Sequence, residues 1–148
     1  MNLISFMGAI ELGLIYGLIA LAVFLSFRIL DFPDLTIDGS FPLGAAVCAT
    51  MIVSGCNPVL ATVIAFFAGG MAGLVTAFLN LRFKILNLLA SILTMIALYS
   101  INLRIMGRPN VPIITEETIL TSFEGQGLPG YYLKPIIAAI IVFIVAII

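Results

Sequence analysis

Three aspartates in the first third of the chain are the side chains best suited to metal chemistry. Asp31, Asp34 and Asp38 are three and four residues apart, and carboxylate oxygens bind hard cations such as Ca²⁺. Their spacing does not match a calcium-binding loop. Asp is also a favoured N-cap and suits the positive end of a helix dipole. We therefore favour capping over cation binding, with Asp38 and the nearby Ser40 at the start of a helix.

A second set of polar residues lies on an apolar segment further along the chain. Asn87, Ser91 and Thr94 are four and three residues apart, so a helix would place them on one face. In a lipid environment a polar face turns toward other helices or toward a water-filled path. Two interpretations remain open here: the three side chains line a substrate path, or they form hydrogen bonds between helices.

The residue types needed for catalysis are sparse. The chain has no His, which removes the commonest general base and metal ligand. Cys48 and Cys56 are eight residues apart without a CxxC pattern, so we interpret them as small apolar side chains. There is no Walker A glycine loop and no basic patch for nucleic acid. The sequence predicts no catalytic residue, no metal site, no cofactor and no nucleic-acid partner.

The composition indicates what surrounds these residues. Hydrophobic residues make up 63% of the 148 and charged residues 9%, whereas soluble domains have about 45–50% and about 25%. Such a chain requires an apolar solvent, which is a lipid bilayer. We therefore predict an all-α integral membrane protein with about four to five transmembrane helices.

The apolar segments define the predicted spans. Residues 39–81 contain no charge, but as one helix they would be about twice as long as a membrane is thick. The turn signal at 54–58 divides them. The second span is short, and Pro42 predicts that it is broken or preceded by a re-entrant stretch. The predicted spans are about 9–30, 39–53, 58–81, 85–103 and 135–148, with an extramembrane loop at about 104–134, in one partial transmembrane domain, 1–148.

Pairs of glycines predict where helices approach closely. Gly13 and Gly17 lie four residues apart in the first span, and Gly69 and Gly73 do so in the third. Small residues at this spacing let helix backbones come together. They fit either a mobile interface or static packing, and we favour static packing.

The basic residues give an orientation. Lys and Arg in short loops favour the cytoplasmic side, which places Arg82 and Lys84 in the cytoplasm and the N-terminus outside. The sequence stops within an apolar run, so we expect a fragment or a truncated reading frame.

Two stretches resemble known permeases. Residues 16–21 and 27–41, followed by 43–46, are similar to the start of permeases of the branched-chain amino acid and ribose importer type. Residues 89–110 resemble a poorly characterised subgroup of ABC permeases more closely. The resemblance covers essentially the whole chain.

This resemblance implies a function and a set of partners. It implies the N-terminal half of a permease subunit of an ABC importer, which moves a small solute, such as an amino acid, across the inner (cell) membrane. The expected partners are a separate ATP-binding subunit, an extracytoplasmic solute-binding protein and a second permease copy. Two other classes stay open: an ATP-independent channel or secondary transporter, and a structural membrane protein.

Overall fold

The computed structural model of the chain describes residues 3–113, 118 and 130–147, and all regular elements in these ranges are α-helices. This confirms the all-helical fold. Among the described residues, four stretches are long and apolar enough to cross a membrane: Ser5–Ile29, Thr36–Val53, Pro58–Phe83 and Asn87–Met106. The helices are α1 (Leu3–Leu30), α2 (Thr36–Val53), α3 (Pro58–Phe83), α4 (Asn87–Met106) and α5 (Gly130–Ile147).

The chain divides into two compact units, residues 1–22 with 118–148, and residues 23–117. The first unit contains most of α1 together with α5. None of the Ser5–Ile29 stretch is buried inside the chain, and Phe143 on α5 is also largely exposed. Apolar helices with so little internal cover belong against lipid or against other protein.

In the second unit, α2 packs against both α3 and α4. Leu43 of α2, Ala72 of α3 and Leu98 of α4 meet in a small buried cluster, with Val47 and Ala68 packed beside it. Two of these five side chains are alanines. The small side chains bring the three helices close together, as is typical of packing within a membrane, where the approach of backbones replaces the hydrophobic effect.

The closest helix approach is at two glycines of α2. A Cβ added at Gly39 would lie 3.0 Å from the Cα atom of Met95 and 3.2 Å from the Cβ atom of Leu98. A Cβ added at Gly44 would lie 3.7 Å from the carbonyl oxygen of Ala65. Gly39 is therefore required by the contact between α2 and α4.

The glycines that we predicted to make close contacts do not make them within the described residues. An added Cβ meets no atom within 4 Å at any of the four positions, Gly13, Gly17, Gly69 and Gly73. On α3 the buried residues are Ala61, Ala72 and Thr76, and Gly73 lines an open cleft instead of a helix contact.

Helix α2 is short but unbroken. Its 18 residues continue through Pro42 without an interruption, so the predicted shortness is found and the predicted break is not. At 1.5 Å per residue it is about 27 Å long, against about 39 Å for α3. Pro42 has no N–H, so the carbonyl of Asp38 receives no hydrogen bond from it in the helix.

The predicted turn at 54–58 connects α2 to α3. Gly55 adopts a φ of 81°, a conformation that glycine tolerates without strain. Asn57 is the N-cap of α3, and its side chain accepts a hydrogen bond of 2.9 Å from the N–H of Val59. Pro58 follows at the first helical position, where no N–H is needed.

The cap gives a first testable prediction. Replacing Asn57 with Ala leaves the Val59 N–H without this partner, and we expect a loss of about 1 kcal/mol of stability. Thermal unfolding in detergent micelles measures it. Asn57→Asp keeps the acceptor and serves as the control. A variant with Ala that unfolds at the wild-type temperature would show that solvent replaces the cap at no cost.

Helix α4 ends three residues later than predicted. Gly107 adopts a φ of 62° and donates its N–H to the carbonyl of Leu103 at 3.0 Å, a common helix ending. Most of the predicted loop, residues 114–117 and 119–129, lies outside the described residues. The last helix, α5, begins at Gly130, five residues before the predicted start.

Candidate functional site

The segment between α1 and α2 is irregular but held in place. Asp31 has a φ of 61°, and its N–H donates to the carbonyl of Phe27 at 3.1 Å. The hydroxyl of Ser26 donates to the carbonyl of Phe32 at 3.4 Å. Asp is one of the few non-glycine residues that adopt this conformation readily. These contacts fix the entry into α2.

The first residue of α2 contacts α3 well before the last residue of that helix. The hydroxyls of Thr36 and Thr76 form a hydrogen bond of 2.7 Å, and both residues are buried. Thr76 precedes the last residue of α3, Phe83, by seven positions, which corresponds to about 10 Å along the helix. The start of α2 is therefore enclosed by protein where it meets α3.

The N-cap position of α2 is Leu35, which makes no side-chain cap hydrogen bond, and the aspartate bonded to the start of the helix is Asp34 and not Asp38. The carboxylate of Asp34 accepts the N–H of Thr36 at 2.9 Å. Asp38 lies in the first turn of the helix, and the hydroxyl of Ser40 donates to the carbonyl of Ile37 at 3.3 Å. The prediction that Asp38 and Ser40 cap the helix is wrong because the helix starts at Thr36, three residues earlier than expected. Asp38 still lies near the positive end of the helix dipole.

A cleft of ≈ 390 Å³ lies at the N-terminus of α2, and we call it the α3–α4 cleft. The Asn80 side-chain amide at its edge donates to Asn87 Oδ1 and to the carbonyl of Ile85 at 2.9 Å. These bonds hold the connection between the two helices. The cleft therefore combines apolar walls with carboxylate, hydroxyl and amide groups. It is lined by Phe32, Asp34, Gly73, Thr76, Ala77, Asn80, Leu81 and Asn87.

The predicted polar face of α4 is present, but its members differ in their surroundings. Asn87 lines the α3–α4 cleft, whereas Ser91 and Thr94 are 0% and 3% exposed. The hydroxyl of Ser91 donates to the carbonyl of Leu88 at 2.9 Å, and that of Thr94 to Ala90 at 3.0 Å. Both hydroxyls are therefore satisfied by their own helix.

Our sequence-based site missed Asn102, which is the most unusual polar residue of this unit. It is 4% exposed, and its Nδ2 donates to the carbonyl of Gly39 at 3.4 Å. Its Oδ1 is buried and has no hydrogen-bond partner in the described part of the chain. A buried acceptor without a donor costs about 1–3 kcal/mol. The signal in the sequence is the spacing, because Asn102 follows Ser91 by three helical turns and so lies on the same face.

The two hydroxyls that join α2 to α3 give a second testable prediction. Thr76→Val leaves the Thr36 hydroxyl buried without this partner, and we expect a loss of about 1–2 kcal/mol. The double replacement, Thr36→Val with Thr76→Val, removes both polar groups and should cost less than the sum of the single changes. Thermal unfolding in detergent of the wild type, the two single variants and the double variant gives the coupling energy between the two hydroxyls. Additive effects would contradict a direct contact between the hydroxyls.

The residues available to hold a metal do not converge. Among the residues that the structure describes, no three His, Cys, Asp or Glu side chains form a group. Cys48 and Cys56 are free thiols, and the sulfur of Cys48 lies 3.9 Å from the hydroxyl of Thr62. Cys48 therefore contributes to the contact between α2 and α3.

Taken together, four apolar helices of membrane-spanning length and clefts with polar side chains inside a helix bundle define a multi-pass membrane protein. The family model of the branched-chain amino acid transport system permease component matches residues 5–148, and the chain belongs to this family.

Two curated relatives cover most of the chain. A tyrosine transport system permease protein of Clostridioides difficile is 46% identical over 117 residues, which are 79% of this chain and 39% of the relative. An uncharacterised protein of Rickettsia prowazekii is 40% identical over 116 residues, 78% of this chain and 41% of the relative. The chain thus spans about two fifths of the length of these relatives. No solved structure gives a significant match.

Proposed function

We propose that this chain belongs to the permease subunit of an ABC-type importer, which moves an amino acid across the inner membrane with ATP hydrolysed by a separate subunit. The observation that carries the proposal is the family match over residues 5–148. The relative from C. difficile is named for tyrosine transport, so an aromatic amino acid is the first solute to test.

The geometry of α2 supports a transport role. Its N-terminus begins at the depth of Thr76, beside the α3–α4 cleft. Helices that start inside the membrane next to a cavity place polar backbone groups where a solute passes. A protein with only a structural role does not need a helix that starts beside a cleft.

The polar residues of α4 then divide by role. We place Asn87 on the solute path because it lines the α3–α4 cleft. Ser91 and Thr94 are proposed to hold α4 in the bundle, since both are buried and bonded to their own helix. Of the three residues that we predicted to line the solute path, only Asn87 keeps that role in the proposal.

One of the predicted glycine pairs has a proposed role in contacts with another protein copy. Gly69 and Gly73 have free space where a Cβ would lie, and the same holds for Gly13 and Gly17. We propose that the face with Gly13 and Gly17 packs against a second permease copy, whereas Gly73 lines the α3–α4 cleft. The remaining partners of the proposal are an ATP-binding subunit and an extracytoplasmic solute-binding protein.

Omission of single components tests the proposed function. Vesicles receive the permease expressed from its complete reading frame, the ATPase and the binding protein, and uptake of radiolabelled tyrosine and other amino acids is measured. We expect uptake only with all three components. Uptake that persists when the ATPase is left out would favour a channel or a secondary transporter instead.

A further inference from the structure

We propose that the groove between α2 and α4 binds the protonated amino group of the transported solute, through acceptors grouped around Asn102. The proposal rests on the proposed transport function and names the part of the solute that this chain recognises. It concerns a different surface from the α3–α4 cleft.

The groove consists of two clefts of ≈ 330 and ≈ 390 Å³ that share three lining residues, Pro42, Tyr99 and Asn102. We call them together the α2–α4 groove. One cleft also contains Asp38 and the other contains Asn110. A solute in the groove would therefore meet Asn102 between a carboxylate at one end and an amide at the other.

The polar groups at the centre of the groove are mainly hydrogen-bond acceptors. Asn102 Oδ1 has no donor in the described residues. The carbonyl of Asp38 receives no helix hydrogen bond from Pro42, because proline has no N–H. The carbonyl of Gly39 is reached only by the long 3.4 Å contact from Asn102 Nδ2, apart from its own helix.

The orientation of the Asn102 amide follows from its neighbour. The Gly39 carbonyl can only accept, so the amide nitrogen must face it and Oδ1 must face away. Because the contact of 3.4 Å is at the long limit for a hydrogen bond, the amide is held weakly. A rotation of the amide frees the Gly39 carbonyl and presents Oδ1 beside it.

An ammonium group is complementary to this arrangement. It has three N–H donors and no acceptor, and it can bind Asn102 Oδ1 and the carbonyls of Asp38 and Gly39 at once. The Asp38 carboxylate adds an opposite charge, and Tyr99, which is 67% exposed, offers a ring face to a cation. A carboxylate placed among these acceptors and near Asp38 would be repelled.

Binding of analogues to the permease in lipid nanodiscs, without ATPase or ATP, tests the site. The permease is expressed from its complete reading frame. The probes are L-tyrosine, tyramine, which keeps only the amine, and 3-(4-hydroxyphenyl)propanoate, which lacks it. We expect the two amines to bind and the third compound to fail. Binding of the compound without an amine, or no binding of tyramine, would overturn the proposal.

Three variants separate recognition of the amine from a role in packing. Asn102→Leu should weaken tyramine binding about tenfold or more, because a hydrogen bond to a charged group is lost. Asn102→Asp keeps an acceptor and adds a negative charge, so this variant should retain tyramine binding. If Asn102 served only in packing, a buried charge at this position would reduce tyramine binding more than Leu does. Asn57→Leu, the same change in the turn between α2 and α3 and outside the groove, is the control and should leave tyramine binding unchanged.

A metal cation is the competing occupant, and the same nanodiscs test it. Replacement of sodium chloride by an iso-osmotic amount of sucrose should leave tyramine binding intact. Binding of Na⁺ that excludes tyramine would overturn the proposal, because hard cations also take carbonyl and carboxylate oxygens. Uptake with and without ATPase is measured separately, so a failure of the amine site and a failure of the importer function give different results.

Discussion

Gly39→Leu is expected to prevent α2 from packing against α4. A Cβ at position 39 would already lie 3.0 Å from the backbone of Met95, and a leucine side chain needs far more space. The backbone cannot give way as the end of a flexible side chain would, so we expect a loss of about 3 kcal/mol or more. The higher helix propensity of Leu offsets less than about 1 kcal/mol of this loss.

Gly73→Leu is the matched control for this prediction. It makes the same chemical change on α3, where an added Cβ meets nothing within 4 Å, so stability should stay the same or rise by up to about 1 kcal/mol through the higher helix propensity of Leu. Thermal unfolding in detergent micelles compares the two variants. Equal losses at both positions would mean that the helices approach each other differently from the arrangement described above.

Pro42→Ala is expected to stabilise the chain and to weaken its proposed amine site. Alanine supplies the N–H that the Asp38 carbonyl lacks and removes the clash of the ring with that carbonyl, so stability should rise by about 1–3 kcal/mol. Because Pro42 is exposed, the loss of its ring costs little packing. The same N–H occupies an acceptor that we assign to the ammonium group, so tyramine binding should fall.

Pro58→Ala provides the comparison. Pro58 is the first residue of α3, where no N–H is required, so its replacement should leave both stability and tyramine binding nearly unchanged. Unfolding temperatures in detergent and binding in nanodiscs are the two measurements. A destabilised Pro42→Ala protein would contradict a helix that continues through residue 42 with an unpaired carbonyl.

The membrane character and the helix order could be predicted from the sequence because they depend on composition and on segment length. The turn at 54–58 is an example, since Gly55 and Asn57 act through their own backbone and the next few residues. The helix ends differed by a few residues. The N-terminus of α2 was predicted too late because the helix already starts at Thr36, whose N–H donates to the carboxylate of Asp34 two residues before it.

Contacts between helices could not be predicted in the same way. Gly39 and Gly69 are both glycines within apolar segments, and only the rotation of each helix decides that Gly39 meets Met95 while Gly69 has open space beside it. Likewise, Asn87 and Asn102 both lie on α4. The packing of α2 encloses Asn102 and leaves Asn87 at a cleft, a difference that depends on tertiary structure.

The dependence of uptake on ATP hydrolysis tests the proposed function most directly. Vesicles containing the permease from its complete reading frame, its ATPase and its binding protein are loaded either with ATP or with a non-hydrolysable analogue. Initial uptake of radiolabelled tyrosine and of the other amino acids is then measured. An ABC importer predicts accumulation of a solute with ATP and none with the analogue. Equal uptake under both conditions would contradict the proposed function.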